Sequence, residues 1–243
     1  TNASGAIYQV QYNADGANFG ADPGFWRTTD GQGGVHKNSH ILAVSGTIIA
    51  SSGDAAYISP VSIGSGTYVT GDNAIAIGAG TYGGGSKTRA AARGVAIGVN
   101  SIVSDTNGIA IGQTNTASDQ YAIAIGTEAN ATAHESIAIG KGVNSAAFAG
   151  VAIGGQSRTR TSEGIAIGYK ADAIGARSIA IGEEAGFNDT TTGHGGHSVA
   201  IGFKTVAREF AIALGHQAVA PDGHFVVASG SAQTDVLLSG VMK

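Results

Sequence analysis

Cysteine is absent from this chain of 243 residues, and only 3 residues are proline. The lack of cysteine excludes a disulfide framework and thiolate metal sites. Charged residues make up 12% of the sequence and aromatic residues 6%, and both shares are low. Such a composition can accompany disorder, but an apolar share of 42% indicates a folded chain.

The sequence also lacks an excess of positive charge and long apolar runs. The formal net charge is −4, and no basic run is present, so the sequence does not indicate a nucleic-acid partner. No apolar stretch approaches the roughly 20 residues that a membrane helix needs. We therefore expect neither nucleic-acid binding nor direct membrane insertion.

Glycine, by contrast, is abundant, with 40 residues, and many of them close a repeated motif. The motif is apolar–small–apolar–Gly, as in "SIAIG" at 136–140 and "GVAIG" at 150–154. Seven of the ten intervals between motif glycines are 14 residues, two are 20 and one is 13. A dominant period over eleven copies indicates a repeat architecture. The motif glycines are Gly64, Gly78, Gly98, Gly112, Gly126, Gly140, Gly154, Gly168, Gly182, Gly202 and Gly215.

Each copy of the motif predicts one short strand, because β-branched residues two positions apart are typical of strands. Positions three and five after the glycine are mostly small, as in Ala129 and Ala131, and polar residues flank them. This alternation predicts a second short strand with its small side inward. One repeat then forms one coil of a solenoid, and stacking at about 4.8 Å per coil predicts a rod section of roughly 50–60 Å. The absence of a 3.6-residue apolar stripe excludes helices.

The two large aliphatic residues of each motif are predicted to fill the interior of the coil, since both point to one face. The residue between them points to the opposite face and is alanine in ten of eleven copies. A solvated strand face would carry Thr, Lys, Glu or Gln, so this uniform small face predicts contact with further copies of the chain. The predicted core contains Ile75, Ile77, Ile109, Ile111, Ile123, Ile125, Ile137, Ile139, Ile165, Ile167, Ile179 and Ile181. The predicted interface contains Ala76, Ala96, Ala110, Ala124, Ala138, Ala152, Ala166, Ala180, Ala200 and Ala213.

The recurrent "SIAIG", "AIAIG" and "GVAIG" at this spacing resemble the head repeats of YadA-like trimeric autotransporter adhesins. The resemblance covers about Val61 to Ala220 and implies a left-handed parallel β-roll, three chains side by side and an adhesive surface. The expected fold is therefore an all-β homotrimeric solenoid of about eleven 14-residue coils, with a short β lead-in and a C-terminal cap. The expected domains are a lead-in at 1–60, the β-roll head at 61–228 and a cap or connector at 229–243.

The lead-in differs from a complete adhesin. "GAIYQVQYNADGANFGADPGF" at 5–25 resembles a segment common in bacteriophage tail-fibre proteins, and its residues 7–12 alternate as a strand does. Near the C-terminus, Phe225–Ala228 and Val236–Leu238 are strand-like runs that we expect to cap the solenoid. We expect a non-enzymatic, extracellular fibre module that attaches to a host-cell receptor, as part of a virion tail fibre. The head of a bacterial adhesin and an inert fibre spacer remain alternatives.

Two coils are six residues longer than the others, at 79–94 and 183–198, and insertions in a solenoid map to surface loops that often bind partners. The alternative is that these loops only decorate an inert rod. The candidate receptor-contact residues are Tyr82, Lys87, Arg89, Phe187, Asn188, Asp189, His194 and His197.

Enzymatic and metal sites find little support. The pair His194 and His197 lacks a third ligand at a set spacing, so we expect solvated loop histidines and no metal or cofactor. Outward charges do not align across successive coils as the carboxylates of a glycan-cleaving β-helix would. The outward threonine ladder of an ice-binding solenoid ends after Thr114 and Thr116.

Overall fold

The computed structural model of the chain describes residues 60–64, 66–80, 87–186, 196–229 and 232–234. Within these residues the chain forms strands and turns, without a helix. The same residues accordingly contain no helical segment able to cross a membrane. The all-β prediction is confirmed.

The motif strands form one sheet of thirteen strands, which we call sheet A. Neighbouring strands are parallel, except that the last one turns back antiparallel to the strand before it. Sheet A contains, in order, β1 (Val61–Ile63), β3 (Ile75–Ala79), β5 (Val95–Val99), β7 (Ile109–Gln113), β9 (Ile123–Thr127), β11 (Ile137–Lys141), β13 (Val151–Ile153), β15 (Ile165–Ile167), β17 (Ile179–Ile181), β18 (Val199–Ile201), β20 (Ile212–His216), β22 (Phe225–Ser229) and β23 (Ala232–Thr234).

The second strand of each coil contributes to a smaller parallel sheet, sheet B, which has eight strands. It contains β2 (Thr67–Val69), β4 (Thr88–Ala90), β6 (Ile102–Val103), β8 (Thr116–Ala117), β10 (Asn130–Ala131), β12 (Asn144–Ser145), β14 (Arg158–Thr159) and β16 (Asp172–Ala173). A separate pair of parallel strands, β19 (Val206–Ala207) and β21 (Val219–Ala220), follows the second insertion, which lies at 183–198.

The register of sheet A places each motif directly beside the next. Ile109 pairs with Ile123, and Ala110 pairs with Ala124. The two long coils do not disturb this register, because Ile75 pairs with Val95 twenty residues later. The fold is therefore a parallel β-solenoid of about eleven turns, and the insertions leave the stack as loops.

The alanine column, which we define as the ten central alanines predicted above as the interface, does not lie on the surface. All ten alanines are fully buried within the single chain, and they cluster with buried residues of sheet B such as Ala117 and Ala131. The predicted interface is therefore wrong: these alanines line the interior of the protomer. The predicted isoleucine core is wrong for the same reason, since all twelve of those isoleucines are only half-buried and face outward.

The interior is narrow because two short strands and two tight corners bring the sheets close together. The largest fully buried side chains are those of Val69, Val103, Val143 and Asn115. The position two residues before each alanine of the column is also small and buried; it is occupied by Ala74, Gly94, Gly108, Ala122, Ser136, Gly150, Gly164, Ser178, Ser198 and Ala211. The predicted inward position of small residues in sheet B is confirmed, for example at Ala129 and Ala131. An isoleucine would not fit in this interior without displacing the opposite sheet.

Buried polar side chains in the interior bind backbone groups at the corner after the motif. The Asn115 amide donates to the carbonyl oxygens of Ile111 and Gly126, both at 2.7 Å, and its Oδ1 accepts from the N–H of Ala129 at 2.8 Å. The hydroxyl of Ser101 donates to the Gly112 carbonyl at 3.0 Å. These bonds satisfy backbone groups that the sheet ladder leaves unpaired.

The corner after each motif requires glycine. Gly126 has φ of 137°, and a Cβ placed there would overlap the carbonyl oxygen of Gly140 in the next coil. Two residues later the chain passes through a left-handed conformation, as at Thr114, where φ is 56°. The N–H of that residue donates to the Val99 carbonyl at 2.8 Å, so the hydrogen-bond ladder between coils continues through the corner.

Candidate interaction surfaces

The outer side of sheet A is an apolar surface, which we call the isoleucine face. It consists of the first and third residues of the eleven motifs, which form two parallel columns of Ile, Val and one Leu. Val61, Ile201 and Ile212 are 37–39% exposed, and the others are half-buried. At about 4.8 Å per coil, ten steps give a stripe about 50 Å long. A continuous apolar patch of this extent marks an interaction site, since isolated chains seldom expose one.

The outer side of sheet B is mainly polar and less uniform, and Tyr68 and Ile102 are its apolar members. Its outward column pairs Thr116 with Asn130, Asn144, Arg158 and Asp172 in successive coils. Apart from Asp172, these side chains reach solvent. Polar residues on this face and small residues toward the interior are the alternation that the sequence predicted.

Five of the predicted receptor-contact residues lie outside the described residues: Tyr82, Phe187, Asn188, Asp189 and His194. Lys87 is exposed, and its Nζ lies 5.7 Å from the centre of the Tyr68 ring. Arg89 is in β4, on the outer side of sheet B, where its guanidinium donates to the hydroxyl of Ser104 at 2.9 Å. Both residues therefore interact with sheet B itself.

His197 lies at the corner just before β18, where its φ is 57°. Its ring stacks on that of Phe210 with a centroid separation of 5.2 Å, and its Nε2 is 3.4 Å from a guanidinium nitrogen of Arg177. Seven coil steps separate the motif that follows Arg89 from the motif that follows His197, which corresponds to about 34 Å. The C-terminal ends of the two insertions therefore lie at distant parts of the solenoid, and Arg89 and His197 do not share one site.

A metal centre finds no support within the described ranges, where no three His, Asp or Glu side chains come together. The predicted weakness of the pair His194 and His197 as a metal site is untested, because His194 lies outside those ranges.

An arginine–aspartate cluster that the sequence reasoning missed lies on sheet B. Arg158 and Asp172 are paired in the register of β14 and β16, and a guanidinium nitrogen of Arg158 lies 2.5 Å from Asp172 Oδ2. Arg160 reaches the same oxygen at 3.4 Å. The signal was available in the sequence, because two residues fourteen apart in the outward column must be neighbours.

The Asp172 carboxyl is buried although its position faces outward. Its side chain is 1% exposed, whereas those of Arg158 and Arg160 are 37% and 51% exposed. Oδ1 is buried without a hydrogen-bond partner. Burial raises the pKa of Asp172, and the two neighbouring guanidinium groups only partly oppose that shift. A buried acceptor without a partner costs about 1–3 kcal/mol, so this cluster is not optimised for stability.

Charged and aromatic side chains also alternate along one corner of the C-terminal coils. Glu184 lies between two lysines, with its carboxylate oxygens 3.9 Å from Lys170 Nζ and 3.4 Å from Lys204 Nζ. Each lysine lies over the ring of the residue before it: Tyr169 at 5.2 Å and Phe203 at 5.0 Å. All these groups are accessible to solvent, which makes the corner a polar surface with aromatic patches.

A comparison with protein families agrees with the motif analysis. The family model described as YadA head domain repeat (2 copies) matches the chain at residues 61–81, 91–115, 117–142, 147–171 and 162–185. A search of curated proteins gave no match. The resemblance drawn from the motif is thus confirmed over residues 61–185, whereas the resemblance of residues 5–25 to tail-fibre proteins stays a prediction.

Proposed function

The chain belongs to the YadA head repeat family over residues 61–185, and from this membership we propose that it is a trimeric surface-fibre module that attaches to host cells. Repeats of this family are structural modules of adhesins and act in self-associated, surface-exposed form. For this chain, the assembly of three copies and the attachment to host cells are our proposals.

The isoleucine face is the single observation that carries the proposal. It is long, apolar and uniform over eleven coils, and the outer side of sheet B has no comparable surface. In a closed assembly around an axis along the solenoid, the same face of each copy is buried. Burial of apolar area at about 25 cal/mol per Å² makes such an association favourable. We therefore still propose the assembly predicted from the sequence, now through the face of sheet A opposite to the predicted one.

Assembly through sheet A leaves the three copies of sheet B and the corners accessible to a partner. Three identical weak sites on one particle raise the overall avidity without strong single contacts. The variable, polar surfaces are therefore the part of the module that we propose for receptor contact, together with the two insertions and their candidate residues.

The parent of the module is proposed to be a virion tail fibre, because residues 5–25 resemble the lead-in of such fibres. The head of a bacterial trimeric adhesin is the alternative, which the family membership supports equally well. Both parents place the module outside the cell.

The assembly is tested by size-exclusion chromatography with light scattering. We expect a mass of about 72 kDa, three times the 23.9 kDa of the chain. A well-behaved monomer would refute the proposal.

Attachment is tested by the binding of fluorescent protein to whole host cells. Deletion of residues 81–86 and of 189–194 would restore the 14-residue period in both long coils, so the variants are expected to keep the stack. Loss of binding in either variant assigns receptor contact to that loop. An intact trimer that binds no cell tested would indicate an inert spacer and contradict the attachment function.

A further inference from the structure

We propose that charged residues at the two ends of the motif strands align the copies of the assembly, so that the copies run parallel and equal coils lie at equal height. The partner at this surface is a second copy of the chain. The inference rests on the proposed assembly through the isoleucine face and specifies which side chains meet where two copies adjoin.

Two columns of turn residues border the isoleucine face. The leading corner, as we define it, is the residue with positive φ two positions before the first aliphatic residue of each motif, such as Glu135, whose φ is 58°. The trailing corner consists of the two residues after each motif glycine, such as Tyr169 and Lys170. Because each motif strand runs across the stack, the two corners of one coil lie at about the same height and at opposite edges of sheet A.

A closed assembly around an axis along the solenoid brings unlike edges of the face together. Rotation about such an axis turns the leading corner of one copy toward the trailing corner of the next copy, at the same height. An antiparallel arrangement would instead reverse the order of the coils. The charges of the two corners can therefore be compared coil by coil.

The corner charges are opposite in every coil that carries a charge at both corners. Three coils meet this condition, and all the side chains concerned are exposed or half-buried. Each of these charges would meet its opposite on the next copy, at the solvated rim of the interface. The coils combine Glu135 with Lys141, Glu163 with Lys170, and Arg177 with Glu183 and Glu184.

A shift of one coil between neighbouring copies would remove all of these attractions. In one direction the shift gives two pairs of like charge, Glu163 with Glu184 and Arg177 with Lys204. In the other direction it also gives two pairs of like charge, Glu135 with Glu128 and Arg177 with Lys170. With histidine neutral, neither shift creates a pair of opposite charges. Like charges brought together at an interface repel, so the pattern favours level copies over a staggered stack.

Ion pairs within one copy explain only part of this pattern. Arg177 Nε lies 2.8 Å from Glu163 Oε2, and Glu184 lies between Lys170 and Lys204. These contacts explain why the sign alternates along each corner. They do not explain the relation between the two corners, because the corners lie at opposite ends of the motif strands.

Glu135 and Lys141 show the relation most clearly. Within the described ranges, Lys141 is exposed and makes no ion pair, and Glu135 approaches only His134 Nδ1, at 3.8 Å. The strand that joins the two residues holds them roughly 15–20 Å apart within one copy. Their charges therefore find partners only across the boundary between copies.

The first test treats the assembled protein with a water-soluble carbodiimide, which joins a carboxylate and an amine in contact through an amide bond. Mass spectrometry then identifies the joined peptides. We expect links of Glu135 with Lys141 and of Glu163 with Lys170, together with covalent dimers and trimers on a denaturing gel. Neither link can form within one copy, because a motif strand separates the two residues of each pair.

A positive control for the coupling lies within each copy. Glu184 and Lys204 are 3.4 Å apart in the single chain and should be linked whatever the assembly. An assembled protein that shows this control link without the two expected ones would overturn the alignment. A link of Glu135 with Lys170 would do the same, since these residues lie two coils apart in height.

The second test reverses charges and measures the protein concentration at which the assembly dissociates, by light scattering at low salt. Glu135→Lys and Lys141→Glu should each raise this concentration about tenfold, because every boundary in the assembly then holds two like charges. The double variant restores opposite charges and should return to within about threefold of the original protein. Glu128→Lys is the matched control, since it reverses a charge opposite the uncharged Tyr121, and should change the concentration less than about threefold.

Unchanged assembly in both single variants, or a double variant as weak as the single ones, would overturn the proposed pairing. An assembled protein that lacks the expected links would reject the alignment alone. A protein that stays monomeric at all concentrations would instead reject the proposed assembly, and the alignment with it.

Discussion

Sheets A and B are alike on their inner sides and opposite on their outer sides. Inside, both carry small residues, as at Ala138 in sheet A and Ala131 in sheet B. Outside, sheet A repeats Ile and Val in almost every coil, whereas the outward column of sheet B reads Tyr, Arg, Ile, Thr, Asn, Asn, Arg and Asp along the stack. The comparison teaches that the narrow coil dictates the inner side, and that each outer side is free to serve a different partner.

The uniformity of each outer side matches the partner that we propose for it. A surface that meets identical copies around an axis along the solenoid makes the same contact in every coil, so one repeated residue type suits it. A surface that meets a receptor uses particular residues at particular coils. Four predictions test this difference, from the largest expected effect to the smallest.

Replacement of Ile139 by Lys should have the largest effect. In the proposed assembly this outward side chain meets its copies, and three buried ammonium groups without partners would cost several kcal/mol. We expect light scattering to show monomers. The matched variant Asn144→Lys on the outer side of sheet B should remain assembled, and an assembled Ile139→Lys protein would contradict the role of the isoleucine face.

Replacement of Ala138 by Leu tests the inner side of sheet A. The side chain would enter an interior whose largest fully buried members are valines, and overpacking typically costs about 1–3 kcal/mol or more. We expect a lower midpoint of chemical unfolding, or no folded protein. Ile137→Leu, one position away and outward, should cost less than about 1.5 kcal/mol. Equal midpoints of chemical unfolding for the two variants would mean that the interior is wide enough to hold a leucine side chain, which would contradict this account.

Replacement of Thr114 by Asn addresses the corner that joins the two sheets. Thr114 is exposed and has φ of 56°, a conformation that β-branched residues adopt at a cost and asparagine tolerates. Asn100 already holds the equivalent corner of the preceding coil, with φ of 54°. We expect Thr114→Asn to raise the free energy of unfolding by about 0.5–1 kcal/mol. A lower melting temperature would show that the threonine side chain makes a contact that outweighs the backbone strain.

Replacement of Asp172 by Asn should have a small effect that depends on pH. Because burial raises the pKa of Asp172 above its ordinary 3.8, the folded protein binds this proton more tightly than the unfolded chain. The carboxyl therefore contributes stability that is fully present below pH 3.8 and is lost as the pH rises through the folded-state pKa. Asparagine remains neutral, so the variant should melt slightly above the original protein at pH 7, and the gap should close below about pH 4.

The opposite trend would contradict this account of Asp172. If Asp172→Asn melts below the original protein at pH 7 and the gap closes on acidification, then the two arginines outweigh burial and hold the carboxyl ionised. Thermal unfolding followed by circular dichroism between pH 3.5 and pH 7.5 distinguishes the two cases.

Much of the solenoid could be predicted from the spacing of residues. The 14-residue period placed Ile109 beside Ile123, and the glycines were expected to mark corners. The side of sheet B that faces inward was also predicted, because Ala129 and Ala131 alternate with polar neighbours. The side of sheet A was predicted wrongly, since its large residues were assigned to the interior by the usual preference of aliphatic side chains for burial.

The candidate sites were less predictable. The arginine–aspartate cluster joins residues fourteen apart in sequence, and nothing in their types distinguishes a buried carboxyl from a solvated one. The burial of Asp172 depends on how its neighbours lie over it, which the period alone does not specify. Most of the predicted loop residues lie outside the described ranges, so their role in receptor contact stays a prediction.

The sequence by itself determined the coil: its length, its two strands, its glycine corners and the pairing of like residues, since these follow from local periodicity and backbone sterics. Only the tertiary structure decided which side of sheet A faces inward, because that depends on the distance between two sheets. Tight corners set this distance so small that alanine fills the interior and isoleucine is left outside, where a further copy of the chain can cover it.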